Sequence, residues 1–541
     1  MMNLTKYSLL HFLIGVFIFS TSCSNFLVED PKNLITEDEI PQTAEGAQML
    51  TLAPYENWVE GTNLYARFIP LWDLGTDDMS ASFNLGAIVD TYVLHKVSSS
   101  QPFMYSGVWT PLWRGVADCN KGMELISKMD AVDPNIRSSH IAELKVMRAL
   151  YYYHLVRMFG DVPSVTKPTN KLSEITSIPR VNAVEIYHTI IIPDLKEALE
   201  DLPESYSSEF KGRMTKTSAN VILSEVYLTL AGWRKTTEGN MILGLSTNYD
   251  SAMHYADKAI HNNGGFDIFE QGDDETPACG MPWRNRFSKE SVVEFGNISG
   301  VNEGLYLVTE SNMGNNSLFW GVRGPQFNGA QRGWFIPTPD LYRAFEEGDQ
   351  RREWSMLTKA TMANGETGFS NPLFHKWCDP NLYRGVDGAL NHDGNINIVL
   401  YRIVDAMLIY AEASNEVNAG PTAEAYAQLN RLRERAGLLP LAEGLSYEEF
   451  REAVWKERRV ELNGEVKRKF DLVRTNRLKE KADARVIYYH SSDNNEWPLN
   501  IERDSILVTY EPYPYPRHEY IWPIPIEELT MNNSWKQNSG Y

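Results

Sequence analysis

Two of the long apolar stripes in this 541-residue chain run straight through an arginine. In SSHIAELKVMRALYYYHLVRMF, residues Leu144, Arg148, Tyr152, Leu155 and Phe159 fall three or four apart and share one helical face. In VWKERRVELNGEVKRKFDLVRTNR, Val454, Arg458, Leu462, Val466 and Phe470 do the same. A guanidinium stripped of water is tolerated in a core only beside a carboxylate. The fold must therefore deliver a carboxylate to each arginine, and both are expected in structural ion pairs. Glu465–Lys469 and Arg468–Asp471 have the spacing of solvent-facing helix pairs, which contribute only about 0.2–0.5 kcal/mol each.

The helical pattern recurs along the chain and sets a coarse organisation. Helices are expected at about 110–129, 138–159, 181–201, 217–234 (capped by Thr217 or Ser218) and 249–262. Gly160-Asp161-Val162-Pro163 should stop the second of these. From about 264 to 400, Gly, Asn, Pro and Trp crowd together. A short strand at Ser291–Phe295 and a helix at 338–347 are the regular elements expected there. Helices return at about 399–418, 421–436, 446–463 and 465–482, followed by an irregular, Pro-rich tail. Ala219, Ala252, Ala256 and Ala259 fit loosely the small positions of tetratricopeptide helix pairs, without a strict repeat period. The reading is a mainly α chain of tetratricopeptide-like helix pairs forming a scaffold. It carries a loop-rich insertion at 264–400 and few short strands.

The N-terminus has the layout of an export signal. Lys6 precedes an apolar run from Leu9 to Phe19, then Ser20-Thr21-Ser22 and Cys23. The run is shorter than the roughly 20 residues that span a bilayer. The cysteine after small residues resembles a bacterial lipoprotein box, although Leu is usual at the position of Ser20 and Gly or Ala at that of Ser22. The division expected is a signal peptide over 1–22, a lipidated Cys23 with a tether to 45, a helical part over 46–263 and a second part over 264–541. The last two should pack as one globular body. An ordinary secretion signal with an incidental cysteine is the alternative.

Composition narrows the chemistry. The formal charge of −20 argues against nucleic acid, whose phosphates are held by Lys and Arg. Cys119, Cys279 and Cys378 are widely spaced and lack a CxxC, so they read as free and buried, with at most one bridge. HExxH, GxSxG, a Walker loop and GxGxxG are all missing. Asp77-Asp78 and Glu346-Glu347 are adjacent in sequence, whereas glycosidase chemistry needs two carboxyls facing each other across a cleft. Asp393-Gly394-Asn395-Ile396-Asn397 begins like a calcium loop, but Ile398 and Val404 stand at its required Gly and Glu positions. No cofactor is expected; one irregular structural Ca²⁺ site at this segment is the exception left open.

Several blocks together resemble the SusD/RagB-type outer-membrane nutrient-binding lipoproteins. They are Arg148-Ala149-Leu150-Tyr151-Tyr152 through Gly160-Asp161-Val162-Pro163; Thr76-Asp77-Asp78 after Trp72; Arg402 through Tyr410-Ala411-Glu412-Ala413; Glu457-Arg458-Arg459-Val460-Glu461-Leu462 with Glu465, Arg468 and Phe470-Asp471-Leu472-Val473-Arg474; Trp522-Pro523-Ile524-Pro525; and the ending Gln537-Asn538-Ser539-Gly540-Tyr541. Gly464, Val466-Lys467 and Ser539 depart from the family pattern. The resemblance implies a non-catalytic, lipid-anchored protein at the outer-membrane surface, with a ligand-facing loop region. It also implies a partner, a SusC-like TonB-dependent transporter, to which glycan is delivered. Peptide uptake of the RagB type is the alternative, and a secreted glycoside hydrolase is a second one.

Ligand candidates are loop aromatics beside amides and charges, because a sugar's C–H face stacks on an aromatic ring while polar groups bond its hydroxyls. They are Phe319, Trp320, Arg323, Phe327 and Asn328; Phe83, Asn84 and Asp78; and Trp283. For each, the competing reading is an aromatic that plugs its loop into the body. Cys23→Ala should move the folded protein from the membrane to the soluble fraction. A variant that stays membrane-bound without the transporter would refute the anchor.

Overall fold

Both core arginines find their carboxylates. In the computed structural model, Arg148 makes a two-pronged pair with Asp194, with both N–O distances 2.7 Å. Arg458 likewise forks onto Asp471, with both distances 3.1 Å. The structure describes residues 40–59, 64–81, 85–169, 174, 176–207, 211–297, 310–311, 323–324, 329–330, 334–361, 367–378, 396–485 and 516–541.

The longer helices are α1 (Ala44–Val59), α2 (Thr110–Ser127), α3 (Pro134–Phe159), α4 (Ile192–Asp201), α5 (Lys216–Ala231), α6 (Thr247–His261), α7 (Ile403–Asn418), α8 (Ala423–Arg435), α9 (Tyr447–Glu461), α10 (Arg468–Arg474) and α11 (Leu478–Ala484). Successive helices stack: α2 on α3, α3 on α4, α5 on α6 and α7 on α8 and α9. Helix α7 also packs on α5 and α6, so the chain resumes the stack where it left it about 140 residues earlier in sequence. The small residues foreseen at these contacts, Ala219, Ala252, Ala256 and Ala259, are fully buried. Residues Thr43–Tyr541 form one compact unit.

Local chemistry sets the boundaries. Asp133 accepts from Asn135 N at 2.8 Å with Pro134 at the first position of α3. Gly160, at φ +76°, ends that helix where Gly-Asp-Val-Pro was expected to. The cap of α5 is Thr215, not Thr217 or Ser218; Ser218 instead completes a capping box with it. The expected helix at 399–418 begins as the strand Ile398–Arg402, whose β-branched and aromatic side chains are all buried beside Ser291–Asn297. That partner strand extends the one expected at Ser291–Phe295.

The stripe over 454–470 does not continue along one helical face, because the chain breaks where the expected helices 446–463 and 465–482 meet. Helix α9 stops at Glu461, Gly464 and Val466 take positive φ, and α10 starts at Arg468. A Cβ at Gly464 would meet the Phe374 ring at 2.7 Å, so glycine is required by space as well as by φ. The break turns the supposed surface pairs inward. Glu465 bonds Arg402 and Lys376, Arg468 forks onto Asp77, and the Lys469 ammonium lies 4.2 Å over the Trp72 ring.

Aromatic packing fills the N-terminal core: Trp58 stacks on Phe295 at 5.3 Å and on Tyr151 at 5.4 Å. Cys119, Cys279 and Cys378 are buried thiols outside any disulfide, and Cys23 lies outside the described residues. In the C-terminal part the core is ionic. Arg402, fully buried, donates to Glu290 (2.6 Å), Glu461 (2.9 Å) and both oxygens of Glu465 (2.7 and 3.0 Å). Glu461 also accepts from Arg435 and Arg351, and Lys376 joins through Glu465 at 2.7 Å. Burial opposes the Glu461 charge, but Arg435, Arg402 and Arg351 together hold its carboxyl well below the usual range.

Removing one member strands the others in a low dielectric. Arg402→Met should lower the unfolding free energy by about 3–5 kcal/mol, measured by urea denaturation. A loss of less than about 1 kcal/mol would show that the network relaxes around the gap.

Candidate functional site

Two of the candidate segments are rooted on one ladder. Strand Met79–Ala81 pairs antiparallel with Phe335–Pro337, in the register Met79↔Pro337, Ser80↔Ile336, Ala81↔Phe335. The segment carrying Phe83 and Asn84 leaves the ladder directly after Ala81. The segment carrying Phe319, Trp320, Phe327 and Asn328 enters it just before Phe335. Those six candidates lie outside the described residues. Arg323 is described only as backbone, in the short strand Arg323–Gly324 paired with Gly329–Ala330.

The ladder is fixed from below. Thr338 Oγ1 donates to the Asp77 carbonyl at 2.5 Å, and Thr338 N donates to the Asp78 carbonyl at 3.0 Å. Arg459, on α9, donates to the Asp78 carboxylate at 2.6 Å, and Arg468, at the start of α10, forks onto Asp77 at 2.8 and 2.9 Å. Burial works against the Asp77 charge, yet Arg468 and Arg459 bring its carboxyl down to about 2. For Asp78 burial prevails over the same two arginines and raises it. Asp78 is therefore a buried anchor of the ladder's root, only 4% exposed, and not a group facing a ligand. Glu346 bonds Arg433 at 2.9 Å and Lys456 at 3.0 Å, while its neighbour Glu347 is exposed.

Trp283 is also buried. Its ring meets Trp377 edge-on at 4.8 Å and lies 5.5 Å from the Lys376 ammonium. It lids the buried ion network, and its face is unavailable for stacking on a sugar. Sequence reasoning missed Arg67, whose guanidinium lies 4.6 Å over Trp334 and 4.8 Å over both Phe68 and Phe103. This sandwich clamps the chain just before the ladder, and pairing residues 67 and 334 had no sequence signal.

Of the calcium-like segment, Ile396 and Asn397 are described. The Asn397 amide donates to Glu294 Oε1 at 2.6 Å and accepts from Arg286 at 3.3 Å. An amide so engaged beside a guanidinium does not fit a cation ligand. Among the described residues there is no cluster of His, Cys, Asp and Glu that could hold a metal ion.

The class defined so far is a stacked helix-pair scaffold, closed by buried ion pairs and carrying a two-strand ladder from which the candidate segments lead off. Two family models match it: one described as "Starch-binding associating with outer membrane" over residues 73–228, and one for the SusD family over residues 310–541. SusD-like protein P25 of Formosa agariphila is 26% identical over 97% of this chain and 98% of its own. Among solved structures, a SusD homolog from Bacteroides thetaiotaomicron aligns with a TM-score of 0.76 at 21% identity, covering 93% of this chain and 98% of that one. A laminarin-binding SusD-like protein aligns at 0.69 and 24% identity, covering 92% and 99%. The chain belongs to the SusD/RagB family.

Glu294 supplies a test of the strand that backs this region. Its carboxyl is fully buried, accepts from Phe287 N (2.8 Å) and Asn397, and burial raises it to about 7. A raised folded value means that its contribution is fully present below the unfolded value of about 4.3 and is lost as pH rises through 7. Stability of the wild type should fall between pH 5 and 8 relative to Glu294→Gln, which keeps the acceptor without the charge. Parallel pH profiles in urea melts would refute this assignment.

Proposed function

We propose that this chain is a non-catalytic, outer-membrane lipoprotein that captures oligosaccharide or polysaccharide and delivers it to a SusC-like TonB-dependent transporter. The observation that carries the reading is the Met79–Ala81/Phe335–Pro337 ladder. It roots two aromatic- and amide-rich segments, far apart in sequence, at one place on a braced scaffold. Rigid roots lower the ordering cost of a binding loop. Ring faces of Phe83, Phe319, Trp320 and Phe327 would take the apolar faces of sugar rings, with Asn84, Asn328 and Arg323 bonding hydroxyls.

The engagement of the adjacent acids supports the non-catalytic reading. Asp77 and Asp78 are both committed to arginines, and Glu346 to Arg433 and Lys456. The name of one neighbour, a laminarin-binding protein, and the starch-binding description of one matching family model both support a glycan as the captured molecule. Cys23 would carry the lipid, and the polar stretch to residue 45 would be the leash on which the body moves over the barrel.

The test is a panel of laminarin, starch and other plant and algal oligosaccharides set beside peptide pools, with wild type and Trp320→Ala compared. The expected outcome is glycan binding that weakens about tenfold in the variant, equivalent to about 1.4 kcal/mol, with an unchanged melting temperature. Binding of peptides alone would overturn the glycan reading. Shortened oligosaccharide products from the purified protein would overturn the non-catalytic one.

A further inference from the structure

The turn that starts the ladder, from Asp73 to Met79, rests on buried ionisable side chains that the ion network around Arg402 does not include. Asp73, His95, Lys469 and Glu519 come from four separate segments, and none is more than 3% exposed. The Glu519 carboxylate lies 3.0 Å from His95 Nδ1 and accepts from Val97 N at 3.3 Å. Asp73 accepts from Lys469 N at 2.9 Å and from Arg468 N at 3.3 Å, at the first turn of α10. The Lys469 ammonium, seated over Trp72, acts on both carboxyls.

Both carboxyls bear on the same turn. The His95 ring packs against Gly75, where an added Cβ would meet His95 Cε1 at 2.4 Å, and Gly75 N donates to the Met79 carbonyl at 3.1 Å. Gly75 at φ +79° and His95 at φ +57° are both left-handed, and a histidine persists there only where its surroundings fix it. On the other side, the Asp73 carbonyl accepts from Thr76 N at 3.2 Å and Thr76 Oγ1 at 2.8 Å, and Thr76 Oγ1 accepts from Asp78 N at 3.3 Å. Met79 is the first residue of the ladder.

The electrostatics of the site favour a bound proton. Burial raises Asp73 and Glu519 to about 7 each, against the pull of Lys469 and of backbone donors, and it lowers Lys469 to about 8. Arg485, Tyr92 and Tyr541 also face Glu519, and Asp78 and Tyr65 face Asp73. Burial raises the three phenols, so they stay neutral while the carboxyls titrate. A carboxyl with a raised folded value adds stability that is fully present below its ordinary value of about 4 and is lost as pH rises through 7. Lys469, being lowered, restores stability only as pH climbs past 8.

We propose that Asp73, His95, Lys469 and Glu519 form a proton-operated brace, in which loss of a proton near neutral pH loosens the Asp73–Met79 turn and, through it, the ladder that roots the candidate ligand segments. Ligand affinity then falls from mildly acidic to mildly alkaline solution. The effect on glycan affinity rests on the proposed function; the effect on the ladder does not.

The experiment is amide hydrogen exchange of the full-length mature protein at pH 6 and pH 8, read by mass spectrometry and corrected for the intrinsic pH dependence of exchange. A carboxyl that titrates at about 7 in the closed turn and at its ordinary value in the open one changes the closing equilibrium about tenfold over that interval. Peptides covering both strands of the ladder should therefore exchange about threefold or more faster at pH 8, while α3 does not change. In Asp73→Asn/Glu519→Gln the ladder should keep its pH 6 protection at both values. Glu519→Gln alone, whose amide can still accept from Val97 N and meet His95, repeats the comparison if the double variant unfolds. A level wild-type profile, or a pH response that persists in the variants, would overturn the proposal. The glycan that binds best in the oligosaccharide panel is then titrated at both pH values. Its affinity should fall in step with ladder protection in the wild type and stay level in the variants. Affinity that stays level while the wild-type ladder loosens would overturn the regulatory role. A ladder that responds although no glycan binds at either pH would overturn the proposed function and leave the brace standing.

Discussion

The guanidinium of Arg402 is the point on which the C-terminal scaffold closes. Its partners come from different elements: Glu290 precedes the Ser291–Asn297 strand, Glu461 ends α9, and Glu465 lies in the turn between α9 and α10. Arg435, the last residue of α8, and Arg351, from the short helix Gln350–Ser355, share the same carboxylates. Desolvating so many charges costs about as much as their mutual attraction returns, so the network adds little net stability. Its effect is on specificity. A shift of any one element leaves a charge unpaired in a low dielectric, which costs several times more than a misplaced aliphatic contact.

That specificity reaches the ladder through α9 and α10. Arg458 faces Asp471 in the core, and the next residue, Arg459, reaches Asp78. Arg468, freed by the turn at Gly464 and Val466, takes Asp77. The helix that supplies Glu461 to Arg402 therefore also holds the acidic turn through Arg459, and Thr338 transmits that position to the second strand. Arg67 over Trp334 closes the arrangement from the N-terminal side. Variable loops can be carried on such a root because the root's geometry does not depend on them.

The same arrangement explains why charge is informative on this molecule. Arg148, Arg351, Arg402, Arg435, Arg458 and Arg474 are consumed by internal carboxylates.

Helical spacing along the sequence determined that Arg148 and Arg458 point inward, that each needs a carboxylate, and that the chain is a stack of helices interrupted by a loop-rich stretch. Glycine and capping chemistry placed the end of α3 at Gly160. Family blocks such as Glu457 to Leu462 were legible as residues but not as roles. Spacing gives the face of a helix and not the element lying across from it, so Asp194 could not be named for Arg148. Gly464 and Val466 turn the chain through positive φ, and that turn carried Glu465, Arg468 and Lys469 from an expected surface into the core. The burial of Asp78 and Trp283, and the meeting of Met79–Ala81 with Phe335–Pro337, were decided only by tertiary structure. Each rests on contacts between groups distant in sequence, and no local periodicity encodes them.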